Sequence, residues 1–124
     1  MALVPFNVLL QDTLASGGTA TLSRQVPDGQ KWTITALYQK STGAFNVTNI
    51  RNGTGQYFGN FSPSNALPND FIPDVENGYN APDTFKHDVV INGGDSLYID
   101  IVDTSASSNL VQIVIEGILD TGGQ

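Results

Sequence analysis

The side chains of this chain that could do chemistry are few, and their spacing assembles no catalytic motif. The single histidine, His87, sits in an alternating run between Phe85 and Val89. Asp28, His87 and Ser96 supply the residue types of a nucleophilic triad, but a triad is defined by convergence in space and not by chain order. A structural or surface histidine accounts for His87. Asp95, Asp100 and Asp103 offer carboxylates for acid/base work or hard oxygen ligands for calcium. No Asp-x-Asp-x-Asp loop gathers them, so the expectation is Asp95 capping a turn, with Asp100 and Asp103 solvated at a strand end. Gly53-Thr54-Gly55 and Gly93-Gly94 lack the following Lys-Ser or Lys-Thr of a phosphate cradle. Trp32, Tyr38, Tyr57, Tyr79 and Tyr98 have the flat apolar faces of a sugar-stacking platform, although packing at the end of a core explains Trp32 as well. Asn46-Val47-Thr48, Asn52-Gly53-Thr54 and Asn60-Phe61-Ser62 match the glycosylation sequon in a chain already rich in Asn, Ser and Thr. The expectation is a protein that is not an enzyme and that uses no metal and no cofactor.

Composition narrows the class further. Twelve acids against five bases give a formal charge of −7, which argues against nucleic acid as a partner, because such binding rests on Lys and Arg neutralising phosphates. The charge is lopsided. Four of the five bases, Arg24, Lys31, Lys40 and Arg51, lie in the first 66 residues with only Asp12 and Asp28, whereas Lys86 alone accompanies the ten remaining acids. The absence of cysteine removes disulfides, thiolate metal sites and a cysteine nucleophile. The first residues lack the basic segment and long apolar run of a signal peptide, and no stretch approaches the roughly 20 apolar residues of a membrane span. These readings predict a soluble protein, made in the cytoplasm, with no membrane partner.

Whatever these residues do, strands must position them. Phe85 to Val102 reads as strand, turn and strand: two runs rich in β-branched residues flank Asn92-Gly93-Gly94-Asp95, whose glycines can take the positive φ of a tight hairpin. On the second run Leu97, Ile99 and Ile101 face one way, toward the core, and Tyr98, Asp100 and Val102 the other. Val4 to Leu10, interrupted by Pro5, predicts an edge strand or an arm, since proline cannot donate to a ladder. Ala20, Leu22 and Val26 alternate with polar residues, and Pro27-Asp28-Gly29 turns the chain. Trp32, Ile34, Ala36 and Tyr38 then alternate against Thr33, Thr35, Leu37 and Gln39. Phe45 and Val47 are core candidates, and Asn52-Gly53-Thr54-Gly55 marks a second hairpin. Val111, Ile113 and Ile115 define the inner face of a last strand, and Gly117 breaks its alternation at a bulge or a close contact. Between residues 62 and 84 four prolines and several asparagines leave no apolar period, which predicts a long irregular loop packed by Leu67, Phe71, Ile72, Val75 and Tyr79. The whole predicts one all-β domain over residues 1–124, an antiparallel β-sandwich favouring a jelly roll of about eight strands, with an N-terminal arm or edge strand at 1–10.

Val26-Pro27-Asp28-Gly29-Gln30-Lys31-Trp32-Thr33-Ile34, the Ser41-Thr42-Gly43 turn, Ile91-Asn92-Gly93-Gly94-Asp95-Ser96-Leu97 and the closing Ile115-Glu116-Gly117-Ile118-Leu119 resemble small jelly-roll proteins that decorate or cement the heads of tailed bacteriophages. The likeness runs from about residue 19 to 119 and is carried by turns and strands. It implies a structural protein of the virion, assembled in the host cytoplasm, that sits on the capsid surface as a homotrimer or homodimer and binds the major capsid protein. A cement protein needs a stable core, edges that pair with neighbours and loops fitted to a mosaic surface. The candidate contacts are therefore Leu3, Val4 and Phe6 in the arm and Leu67, Phe71, Ile72 and Tyr79 in the loop. The competing reading is a carbohydrate-binding module or lectin-like adhesin built on Trp32 and the tyrosines.

Overall fold

A computed structural model describes residues 3–54, 57–60, 67–68 and 89–121. These residues form nine strands: β1 (Leu3–Leu14), β2 (Thr19–Gln25), β3 (Lys31–Ser41), β4 (Phe45–Asn52), β5 (Tyr57–Asn60), β6 (Leu67–Pro68), β7 (Val89–Asn92), β8 (Ser96–Asp103) and β9 (Asn109–Asp120). No helix occurs among the described residues. One antiparallel sheet has the order β1-β9-β3-β7, the other β2-β8-β4-β5, with β6 pairing β4 at Asn46 and Val47 just beyond β5. Part of the stretch expected to be irregular, Leu67–Pro68, is thus strand. The remainder of that loop lies outside the described residues.

The inner faces of both sheets feed one apolar cluster, which makes the arrangement sandwich-like. Leu97, Ile99 and Ile101 of β8 face Val111, Ile113 and Ile115 of β9, all buried as their alternation predicts. Each such side chain contributes about 1.5–3 kcal/mol by leaving water. Leu10 and Leu14 of β1, Leu22 of β2 and Val26 just after it, Trp32, Ile34 and Leu37 of β3, Phe45, Val47 and Ile50 of β4 and Val89 and Ile91 of β7 complete the cluster.

Two expectations are corrected. Asn92 to Asp95 does not close a hairpin, because β7 pairs with β3 in one sheet while β8 pairs with β2 and β4 in the other. The turn is real, closed by the Asp95 N–H on the Asn92 carbonyl at 3.0 Å with Gly94 at φ +87°, but it carries the chain from sheet to sheet. It docks on the neighbouring 26–30 crossing, where the Gly94 N–H reaches the Val26 carbonyl at 2.9 Å and the Val26 N–H the Asp95 carbonyl at 2.8 Å. A Cβ on Gly93 would stand 2.8 Å from the carbonyls of Pro27 and Gln30, so close approach requires glycine there. The predicted hairpin at Asn52-Gly53 does form, joining β4 to β5.

The second correction concerns β3. Register with β9 slips between Ile34 and Ala36, so Thr35 is an inserted, exposed residue, and the inward phase changes parity. Trp32 and Ile34 face the core as expected, but beyond the bulge Leu37 and Gln39 turn inward and Tyr38 outward. Gly117 lies opposite. A Cβ there would collide with the Thr33 carbonyl, which is the close contact that its break in alternation foretold.

Candidate functional site

Three places bring functional groups together. The first is the end of the sandwich where the 15–18, 41–44 and 104–108 connections meet. Asp103, expected at a solvated strand end, is buried and accepts four hydrogen bonds: the Ser105 hydroxyl at 2.6 Å, the Gly17 N–H at 2.8 Å, the Ser105 N–H at 3.0 Å and the Asn109 amide at 3.1 Å. The Ser105 hydroxyl above all, then the Gly17 N–H and the remaining donors, hold its carboxyl well below the usual carboxylate range against the opposing effect of burial. Asn109, fully buried, extends the network. Its Oδ1 accepts the Gly43 N–H at 3.0 Å and the Thr42 hydroxyl at 3.2 Å, and its Nδ2 donates to the carbonyls of Gly43 and Ala44, each at 3.0 Å. With every oxygen of Asp103 engaged, this is a clamp on three connections and not a reactive carboxylate.

The second place is the outer face of the β2-β8-β4-β5 sheet. The Arg51 guanidinium grips Asp100 through two bonds of 2.9 and 3.2 Å and lies 4.8 Å from the Tyr98 ring centroid, while the Thr21 hydroxyl donates to Asp100 at 2.6 Å. Partial burial pushes the Asp100 carboxyl up, but bonds from Arg51, Thr21 and Asn49 and the Arg51 charge outweigh it and hold the group below its ordinary value. A part-exposed pair of this kind contributes at most about 1 kcal/mol. It orders a polar face and satisfies its own charges. Asp95 behaves as the predicted turn cap, its Oδ1 accepting the N–H groups of Ser96 at 2.7 Å and Gly53 at 2.8 Å.

The third place is apolar. Among the described residues the large hydrophobic side chains that stay exposed, Leu3 (65%), Val4 (42%), Leu9 (44%) and Ile118 (43%), belong to β1 and β9. Register aligns two apolar rows across the outer face of this sheet, Leu9–Val114–Tyr38 and Pro5–Ile118–Thr33–Val90. Between them lies a shallow depression of about 220 Å³ lined by Pro5, Phe6, Asn7, Thr35, Glu116 and Gly117. Glu116 supplies its one carboxylate. The Tyr38 hydroxyl donates to that carboxylate at 3.4 Å, and burial, followed by the Glu116 charge, pushes the phenol up.

Comparison with protein-family models, with curated proteins and with solved structures found no match.

Of the residues expected to bind a partner, Leu3 and Val4 are both exposed on β1, Leu3 on the outer face of the third place and Val4 on the inner side, opposite Leu119 at the rim of the core. Phe6 is half-buried and packs on Trp32, ring centroids 4.6 Å apart. Leu67 lies in β6, its backbone paired with Val47 at the edge of the other sheet. Phe71, Ile72 and Tyr79 lie outside the described residues, as does His87. Leu9 falls within the expected arm without having been singled out, and Ile118 was not anticipated. Both parities of β1 carry apolar side chains, so alternation alone could not say that Leu10 turns inward and Leu9 outward. Trp32 is 5% exposed and its indole N–H donates to Gln30 Oε1 at 3.0 Å, so its face offers nothing to stack on. Among the described residues no three His, Cys, Asp or Glu side chains are grouped to hold a metal ion, and no helix is long and apolar enough to cross a membrane.

Proposed function

We propose that the chain is a structural protein of a virus particle that decorates or cements a bacteriophage head by binding the major capsid protein, and that its outer β1-β9-β3-β7 face makes the contact. The observation that carries this reading is that every exposed large hydrophobic among the described residues lies on two adjacent strands, and that three of the four, Leu3, Leu9 and Ile118, share the outer face of their sheet. Such a patch is costly to leave in water and fits a partner surface of similar character. The Glu116 carboxylate between its two apolar rows suits a lysine or arginine on that partner.

The strand order supports the jelly-roll reading of the fold. Its antiparallel pairs β1·β9, β2·β8, β3·β7 and β4·β5 are those of one long two-stranded ribbon, and wrapping that ribbon brings β9 beside β3 and β8 beside β4. A shell of this kind leaves its sheet faces for contacts with neighbours. Many copies on one head would also add their modest affinities by avidity.

The test is cosedimentation of the purified protein with empty tailed-phage heads, with and without Leu3→Ser, Leu9→Ser and Ile118→Ser combined. Saturable binding by the parent that the triple variant loses is the expected result. Equal binding by both would refute the assignment of the face.

A further inference from the structure

Among the described residues no strand pairs with the outer side of β1, a sheet edge twelve residues long, and the direction of its peptide groups can be assigned. The Leu9 carbonyl accepts a hydrogen bond from Arg24 Nη2 at 3.1 Å, so Leu9 turns its peptide groups away from β9. Register along β1 is unbroken from Leu3 to Leu14, so Leu3, Pro5, Asn7, Gln11 and Thr13 do the same. Two details agree. The Thr13 N–H is bonded to Asp12 Oδ1 at 2.8 Å, and Pro5 occupies a position where its missing N–H costs the β9 ladder nothing. Pro5 ends the usable edge on one side. The turn closed by the Gly18 N–H on the Ala15 carbonyl at 2.8 Å ends it on the other. What remains is residues 7–13, with Leu10 at the midpoint.

We propose that this stretch pairs antiparallel with the same stretch of a second copy, about a two-fold axis at Leu10, so that two four-stranded sheets join into one. Leu9 then faces Gln11 of the second copy and Asn7 faces its Thr13. Four residue pairs each exchange two hydrogen bonds, about eight in all.

Charge selects a second copy over a strand of other sequence. Asp12 and Arg24 line the same open groove between β1 and β2, a space of about 380 Å³ that also includes Leu9, Gln11, Thr21 and Ser23. Pairing displaces Arg24 from the Leu9 carbonyl and Asp12 from the Thr13 N–H. With the axis at Leu10, Asp12 comes opposite Val8 of the second copy, next to the Leu9 that the second copy's Arg24 reaches. The two displaced caps therefore meet each other, twice by symmetry. In the isolated chain Pro5, Arg24 and Asp12 shield the edge against indiscriminate pairing. The inference is independent of any capsid contact.

Sedimentation equilibrium of the full chain tests it. The parent should show a concentration-dependent dimer. Gln11→Pro removes an outward N–H without touching the β9 ladder, so it should leave the circular dichroism unchanged while weakening the dimer at least about tenfold. Arg24→Asp alone and Asp12→Arg alone should each be monomeric, because like charges then meet across the axis, and an equimolar mixture of the two should dimerise again. A parent that stays monomeric, a dimer indifferent to Gln11→Pro, or a mixture as monomeric as its components would each overturn the proposal.

Discussion

Asn109→Ala tests whether the buried clamp, and not strand pairing alone, locks one end of the sandwich. The side chain makes five hydrogen bonds with no exposed surface. Not all five partners would be orphaned by its removal. The Gly43 carbonyl keeps the Ser41 hydroxyl at 2.6 Å, the Ala44 carbonyl keeps the Thr104 N–H at 3.1 Å, and Asp103 keeps Ser105 and Gly17. Among the described residues the Gly43 N–H has no other acceptor, and the Thr42 hydroxyl retains only its acceptor role toward Leu110. A stranded donor costs at most about 1–3 kcal/mol where, as at Gly43, it is partly buried, and each lost but replaceable bond costs about 0.5–1.5 kcal/mol. With one such donor and four such bonds the sum is roughly 3–9 kcal/mol, a large share of the 5–15 kcal/mol typical of a domain. Urea unfolding followed by the fluorescence of Trp32, the single tryptophan and remote from the clamp, would read it as a lowered midpoint at unchanged slope. Asn109→Asp sharpens the test by changing one group. It sets an oxygen against the Gly43 and Ala44 carbonyls and a second carboxylate 3.1 Å from Asp103, so at pH 7 it should destabilise more than Asn109→Ala, and the gap should narrow as the pH falls and a proton is shared. A loss under about 1 kcal/mol for Asn109→Ala, or an Asn109→Asp variant as stable as the parent, would refute the reasoning.

Other predictions follow from the same geometry. The folded-state pKa of Asp103 is depressed, so its contribution to stability is complete above the unfolded carboxylate value of about 4 and is lost as pH falls toward the folded value; Asp103→Asn should unfold more easily at pH 7 and show a flatter stability profile between about pH 5 and 2, read by urea titration at each pH. Gly117→Ala forces a Cβ onto the Thr33 carbonyl opposite the β3 bulge and should cost about 1–3 kcal/mol in the same assay. Leu9→Ser and Ile118→Ser alter exposed positions and should shift stability by no more than about 0.5 kcal/mol, which separates a binding defect from a folding defect.

The sequence made the inner faces of β8 and β9 legible, because Leu97, Ile99, Ile101, Val111, Ile113 and Ile115 repeat with the period of a strand and no bulge interrupts them before Gly117. It misled at β3, where Thr35 looks like one more polar alternate and is in fact the inserted residue that reverses the phase of Leu37, Tyr38 and Gln39. The glycines at 93 and 94 announced a turn truthfully, yet turn chemistry is local and says nothing of which strands pair. Sheet assignment was decided by β3 and β2, far away in the chain. Asp103 stands in a run of small polar residues and read as solvated, since only the folded chain brings Gly17 and Asn109 to it. The edge strand was legible in the run from Val4 to Leu10 with its Pro5, but the surface it belongs to needed the register with β9 that sets Ile118 beside Pro5 and Val114 beside Leu9.

The most direct test of the proposed role is titration of empty tailed-phage heads with the parent protein and the Leu3→Ser, Leu9→Ser, Ile118→Ser variant, counting bound copies per head. The account predicts saturable occupancy by the parent and none by the folded variant; a parent that fails to bind, or a variant that saturates the heads equally, would contradict it.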